Sequence, residues 1–343
     1  MNANDIVFSP VDIQSLTNEY LRERREAYER GGLGAGLPLY VADLDASGDD
    51  DKGFLPVLDG DMLSIIARPG HGKTSFMMRW ARERTAAIRR AAALGDQDAG
   101  RRVVVYCTWE QTVEALHSFH VASENAALGL SVTKMARGRI TDEQWTGIEY
   151  ANIQRIADPL WFIGHSIKRK AKRPSIDVDA LAAALWNIEG WQGDNDKFKI
   201  DSVFVDYLQR IPYDRAESKT IGISDNLDRL KNAALALGTK VIVGVQASRE
   251  VDKRDDPAPG MEDGQWTSNI EQASDTILTL MRPVKYRNQG ESISGITVQG
   301  YTQMLITVAK QKMGMSNGRK LVSFDPRYNR LEALETRHIN LNQ

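Results

Sequence analysis

The chain has 343 residues, 42% of them apolar and 26% charged, an ordinary balance for a globular protein and enough length for one large α/β unit with appendages. Its formal net charge of −2 excludes attraction of a polyanion by the field of the whole protein, so a nucleic acid would have to be met by a local patch. One cysteine excludes an intrachain disulfide and suits a reducing cytoplasm; no apolar stretch approaches the roughly 20 residues of a membrane span, and the first residues carry neither part of a signal peptide.

Residues 9–30 read as an amphipathic helix. Ser9-Pro10 supplies a cap and a first-turn proline, Gly31-Gly32 a stop, and Ile13, Leu16, Tyr20 and Ala27 fall on one face. A glycine-rich link from Gly31 to Gly36 and an acidic loop, Asp49 to Asp51, follow. The apolar face of the helix must then be covered by the chain's own domain or by a neighbouring subunit.

From about residue 54, short apolar runs alternate with helical stretches. The strand candidates are 61–67, 103–107, 160–163, 202–206, 241–246, 275–281, 303–309 and 320–324, with helices between the first five. Over 74–90, Phe76, Met77, Trp80, Ala81 and Ile88 form a buried stripe. Fully apolar strands alternating with helices predict a mostly parallel sheet covered on both faces, with ligands at the carboxyl ends of the strands. The last three strands have little helix between them and predict an antiparallel C-terminal extension. Cys107 falls inside an apolar run and reads as a buried strand residue.

Directly after the first strand stands Arg68-Pro69-Gly70-His71-Gly72-Lys73-Thr74-Ser75, leading into a helix. Strand, glycine turn, Lys-Thr and helix make a phosphate-binding loop: backbone N–H groups point at the anion, the ammonium adds charge, and the threonine hydroxyl is placed for Mg²⁺. A plain strand–helix connection would leave Lys73 unexplained, because the macrodipole disfavours a cation in a first helical turn. Three more strand ends fit an ATP site. Asp206 closes the run 201–206 and can orient the Mg²⁺ water shell or cap the next loop. Glu110 lies just past 103–107 and can accept a proton from an attacking water or be a surface glutamate. Gln246 ends 241–246, poised to sense a γ-phosphate.

Other signals are open. The basic run Lys168 to Arg173 can bind phosphates or face water, and Trp266 can stack on a base or pack under its own loop. The five histidines, His71, His117, His120, His165 and His338, show no metal-ligand spacing with cysteines or carboxylates.

In joint order these residues resemble the RecA-like ATPase domain of the DnaB family of replicative helicases. The likeness is carried by residues 67–74, by Asp206-Tyr207-Leu208-Gln209, by Ser268 to Asp275 with its Ile-Glu-Gln, by Ala309 to Gly314, and by Ala136 to Trp145 in a helix-rich middle. It covers roughly residues 40–335, which gives a linker helix and flexible link over 1–40 and a RecA-like P-loop ATPase domain over 41–343. The resemblance implies Glu110 as catalytic base, Asp206 and Thr74 at Mg²⁺, Gln246 as sensor, and Lys310 and Lys312 acting across a subunit interface. Those two lysines are two apart on a strand, which aims both side chains the same way, out of the sheet edge.

It further implies a motor on single-stranded DNA, with ATP and Mg²⁺ as cofactors, a homo-oligomer (a hexameric ring in the family), and a helicase loader or other replication proteins as partners. The helix at 9–30 resembles the linker helix that docks on an adjacent protomer. Arg210, Arg215 and Lys219 lie in a loop that would face the ring channel, and Arg249 in a second DNA-side loop. Three departures stand out. About forty residues precede the core where the family carries an N-terminal helical domain, which suggests a phage, plasmid or mobile-element form. A lysine, Lys312, replaces the arginine finger, a pattern shared with RecA-type recombinases, so a filament ATPase and a KaiC-like regulatory ATPase stay open as alternatives. Gln265-Trp266-Thr267 replaces the family's Arg-Glu-Ser.

Overall fold

The computed structural model describes residues 8–30, 33–41, 44–45, 53–169, 175–190, 198–213, 218–265, 268–313 and 318–333. In chain order its elements are α1 (Pro10–Arg30), β1 (Met62–Ala67), α2 (Lys73–Ala93), β2 (Arg102–Thr108), α3 (Val113–Glu124), α4 (Val132–Ala136), α5 (Asp142–Arg155), β3 (Leu160–Ile163) and α6 (Val178–Gly190). There follow β4 (Lys199–Asp206), α7 (Lys219–Leu237), β5 (Lys240–Gln246), α8 (Asn269–Ala273), β6 (Thr276–Met281), β7 (Ser292–Ile293), β8 (Ile296–Thr297), β9 (Gln303–Gln311), β10 (Arg319–Asp325) and β11 (Arg330–Ala333).

The main sheet has nine strands in the order β11-β10-β9-β6-β1-β5-β4-β2-β3. From β6 to β3 every pairing is parallel; β9, β10 and β11 are added antiparallel. The strands are apolar throughout because both faces are buried. Leu63, Ile65, Tyr106, Phe204 and Ile242 point into a cluster with Phe76, Met77 and Trp80 of α2. Met62, Ile66, Val105, Val203 and Val243 point the other way, onto α6 and α7. The architecture is the expected one, with two differences. β6 belongs to the parallel part, and the antiparallel part contains β11, an edge strand of mixed composition absent from the expected set.

The segment 33–41, expected as part of a flexible link, is packed into the core. Leu37 and Leu39 are fully buried, and Leu37 forms a bridge with Val57. Its carbonyls are satisfied by α2: Trp80 Nε1 donates to Pro38 O at 2.7 Å, Arg79 to Leu39 O at 2.8 Å, and Arg84 to Leu33 O at 3.0 Å and Gly36 O at 3.2 Å. Arg84 also clasps Asp201 at the base of β4, at 2.6 and 2.8 Å, and Arg102 reaches the same carboxylate at 3.2 Å.

Burial alone would raise the Asp201 carboxyl, but Arg84 and then Lys240 outweigh it and hold it well below the ordinary value of 3.8. Because the folded-state value is depressed, this contribution to stability is complete above about pH 4 and lost as the pH falls below it. Asp201→Asn leaves Arg84 and its neighbours without their carboxylate, at an expected cost of about 3–5 kcal/mol. Urea melts at pH 7 check this, and the gap between wild type and variant should narrow in acid.

Helix α1 has no cover within the described chain. Ile13, Leu16 and Tyr20 are 54%, 49% and 52% exposed, and α1 is held at its C-terminal end, where Arg24 Nη1 donates to Gly34 O at 3.0 Å. Among the described residues, nothing of the chain's own domain covers Ile13, Leu16 or Tyr20.

Candidate nucleotide site

β1 ends at Ala67 and the glycine turn lifts the chain into α2. Gly70 (φ +77°) and Gly72 (φ +91°) take left-handed backbone, the region where a Cβ is penalised. At Gly72 a Cβ would also stand 3.0 Å from Met304 Cε and 3.5 Å from Phe324 Cε1. Gly72 is the N-cap of α2 and offers no side chain to its N–H groups, so the first-turn donors are left for an anion. Lys73 and Thr74 are half-buried in that first turn, and Ser75 is buried.

The side chain of Lys73 crosses to the next strands. Its Nζ lies 2.6 Å from Asp206 Oδ1 and 4.4 Å from the centre of the Tyr207 ring. Glycine at 244 makes this path, for a Cβ there would come within 2.9 Å of Lys73 Nζ and 3.1 Å of Met77 Sδ. Asp206 is fully buried, and its other oxygen accepts from Tyr106 Oη at 3.1 Å. Burial, and then the Asp206 carboxylate, push the Tyr106 phenol well above its usual value, so it stays a donor. The same Oη lies 3.5 Å from Thr74 O, which brings the Thr74 turn and the Asp206 strand end together. A hydroxyl and a carboxylate at adjoining strand and helix ends are hard oxygen donors of the kind Mg²⁺ takes, usually one or two carboxylates together with substrate phosphates. These residues fit that ion. Glu110 is exposed two residues past β2, whose last residue, Thr108, pairs with Asp206.

Gln246 closes β5 directly beside Ala67, where the turn begins. Its backbone is gripped by Gln209: Gln246 N donates to Gln209 Oε1 at 3.0 Å, and Gln209 Nε2 donates to Gln246 O at 3.4 Å and Gln265 O at 3.2 Å. The fourth residue of Asp-Tyr-Leu-Gln thus ties the end of β5 to the end of the 249–265 loop. Arg68 directs its guanidinium to Asp252 at 2.7–3.1 Å and to Ala247 O at 3.0 Å. His71 is buried, its Nδ1 accepting from Arg282 N at 3.0 Å and its ring 5.3 Å from that of Tyr286. Burial, then the Lys285 charge, lower His71 to about 4, so it is neutral. Both residues belong to the turn, yet their side chains brace it from outside. Pro69 completes it.

Tyr106, Gly244 and Asp252 are not marked as site residues in the sequence, and Gln209 is marked only as part of Asp-Tyr-Leu-Gln. Tyr106 sits in a run that reads as plain core, and Gly244 interrupts an apolar strand, which was the one available signal.

Lys310 and Lys312 lie at the other end of the sheet. Gln311 pairs with Thr276 of β6, which pairs with Leu63 near the start of β1. β9 is an inner strand, paired with β6 along its length and with β10 over its first residues, and Lys312 lies one residue past its end. Lys310 Nζ donates to Glu271 O at 2.6 Å and Ser274 O at 2.8 Å, and Lys312 Nζ to Asp275 at 3.1 Å. Arg210 is exposed with its Nε on Tyr207 Oη at 3.2 Å, Lys219 starts α7, and Arg249 is exposed on the turn after β5. Arg215, Trp266 and residues 170–173 of the basic run lie outside the described residues.

A sequence model of the family described as DnaB-like helicase C terminal domain matches residues 51–333. The probable plasmid replicative DNA helicase of Chlamydia muridarum is 24% identical over 96% of this chain and 62% of its own length. The replicative DNA helicase DnaB of Geobacillus stearothermophilus is 24% identical over 90% of this chain and 59% of its own length. The chain thus spans about three fifths of these relatives. Among solved structures, one ATPase domain superposes with a TM-score of 0.73 at 20% identity, covering 96% of this chain and 100% of that one. A DnaB-like replicative helicase studied with primase gives 0.69 at 21% identity, covering 93% and 67%. At these identities both likenesses are of fold.

Proposed function

The chain belongs to the DnaB-like helicase C-terminal domain family, and on that premise we propose that it is an ATP-driven helicase motor that moves on single-stranded DNA as a homo-oligomer. The observation that carries the reading is the meeting of Lys73, Thr74, Asp206 and Tyr106 at adjoining strand ends beneath an uncapped helix start. In this reading the backbone of 70–74 and the Lys73 ammonium hold the phosphates. Thr74 and Asp206 would hold Mg²⁺, which would supply charge neutralisation at the phosphoryl group. Glu110 takes the proton of the attacking water, and Gln246 senses the terminal phosphate. Because Gln209 bonds to the chain at both ends of the 249–265 loop and Arg68 bonds to Ala247 O just before it and to Asp252 within it, a shift at the turn has a direct route to that loop.

The exposed face of α1 supports assembly. A second uncovered apolar stripe runs along α5, where Trp145, Tyr150 and Ile153 are exposed, and continues to Ile156 just past its end. A helicase loader would be a further partner, and the setting a bacterial, phage or plasmid cytoplasm. Unwinding of a forked duplex tests the reading. ATP turnover without unwinding would favour a recombinase-type filament or a KaiC-like regulatory ATPase.

Single-stranded DNA should stimulate turnover, and its affinity should fall steeply with salt, each neutralised phosphate contributing a slope of about −0.7 in log K against log salt. Reversing Arg215 and Lys219 to Glu should weaken DNA binding and leave ATP affinity in place. Equal loss on reversing Lys170 and Lys172 alone would move the DNA path to the outer basic run. Fluorescence anisotropy of a labelled oligonucleotide over a salt series reads both.

A further inference from the structure

Lys285 ends a short turn, Pro283–Lys285, that follows β6 at the same sheet end as the glycine turn. A methyl group placed on Gly70 would stand 3.6 Å from Lys285 Nζ and 3.9 Å from its Cε, so the ammonium lies over the tip of the loop. The segment is pinned there from both sides. Before it, Arg282 N is fixed on His71 Nδ1; after it, Tyr286 Oη donates to Asp252 at 2.8 Å, the same carboxylate that holds Arg68. The other cations around the turn are committed within the chain: Arg68 to Asp252, Lys73 to Asp206, and Arg282 to Tyr301 O. Lys285 is exposed, and its side chain makes no ion pair or hydrogen bond among the described residues. A cation held over a glycine turn without a counter-charge lowers its energy when an anion arrives, and the N–H groups of the turn favour the same anion.

We propose that Lys285 is a second lysine of the nucleotide site, contacting the phosphate chain of ATP from over Gly70. The proposal rests on the reading of this turn as a nucleotide site. It assigns the approach of β6's outgoing segment to substrate binding, where that segment would otherwise only brace His71.

The test is titration of a fluorescent ATP analogue and its ADP counterpart, with Mg²⁺, into the full chain as wild type, Lys285→Ala, Lys285→Arg and Lys285→Glu. The alanine variant should bind about tenfold more weakly, the glutamate variant more weakly still, and the arginine variant within about threefold of wild type, the scale of one water-exposed charge at contact distance. The alanine variant should also show a shallower dependence of affinity on salt, which a merely structural role would not produce. A loss confined to the ATP analogue would locate the contact at the terminal phosphate, and a loss shared with the ADP analogue at an inner one; either supports the proposal. Binding by Lys285→Ala within twofold of wild type overturns it, as does an equal loss in the arginine variant with an unchanged salt dependence. If the folded wild type binds neither analogue, the nucleotide reading itself fails, and the role of Lys285 with it.

Discussion

Glu110→Gln should bind ATP as the wild type does and hydrolyse it about 10²–10⁴ times more slowly, the usual scale for a general base. The structure makes this substitution a clean one. Glu110 is exposed and makes no hydrogen bond or ion pair among the described residues, so its amide removes a proton acceptor and no folding contact. Lys73→Ala should fail differently, losing nucleotide affinity together with turnover, because the ammonium meets the phosphates directly. It also has a second effect that the sequence motif does not announce. Lys73 neutralises a carboxylate that is fully buried, leaving only the Tyr106 hydroxyl on Asp206 once the lysine is gone. Breaking such a pair from one side costs about 3–5 kcal/mol. The melting temperature of Lys73→Ala should therefore fall, and the added change Asp206→Asn should restore much of it without restoring binding. Single-turnover hydrolysis and labelled-ATP titration read the first comparison, and thermal melts the second. Wild-type hydrolysis by Glu110→Gln would remove Glu110 from the chemistry.

The parallel core was legible because burial on both faces makes each strand an unbroken apolar run, and the glycine turn because Gly70 and Gly72 need backbone that other residues avoid. The rest depended on contacts between residues far apart in the chain. Leu33, Pro38 and Leu39 stand among glycines and read as a link, yet their carbonyls meet Arg84, Trp80 and Arg79 some forty to fifty positions on. Arg84 itself sits in a helix of ordinary amphipathic appearance, and its partner Asp201 reads as the polar start of a strand. β11 (Arg-Leu-Glu-Ala) has too mixed a pattern to be told from a loop, and only its ladder with β10 makes it a strand. In the site, the glycine turn, Lys73 and Asp206 were legible by type and order, whereas the direction in which Arg68 and His71 point was not. Asp252 and Arg282, which draw them away from the turn, lie in loops of no regular pattern.

Lys312→Ala should slow hydrolysis by assembled protein while leaving the nucleotide affinity of its own turn intact. The separation is set by the sheet. Lys312 is bonded to Asp275, whose carboxylate also accepts from Met62 N at the first residue of β1; the glycine turn leaves from the far end, after Ala67. Six residues of strand at about 3.3 Å each put close to 20 Å between the lysine and its own phosphate site, so a catalytic Lys312 must serve another copy. Of the two lysines, Lys310 is turned onto the carbonyls of α8 and positions the α8–β6 junction, while Lys312 keeps a side chain 63% exposed and can reach outward. A trans arginine contributes about 10³–10⁵ in rate; a lysine carries the charge without the planar fork, and the loss on removing it should be smaller. Mixing decides the matter. Lys73→Ala subunits keep Lys312, and Lys312→Ala subunits keep their turn, so co-assembled mixtures should recover part of the activity that each lacks alone. No recovery despite confirmed co-assembly, or full activity of Lys312→Ala by itself, would leave Lys312 as a surface charge held by Asp275 and take away the chemical reason for one copy to need the next.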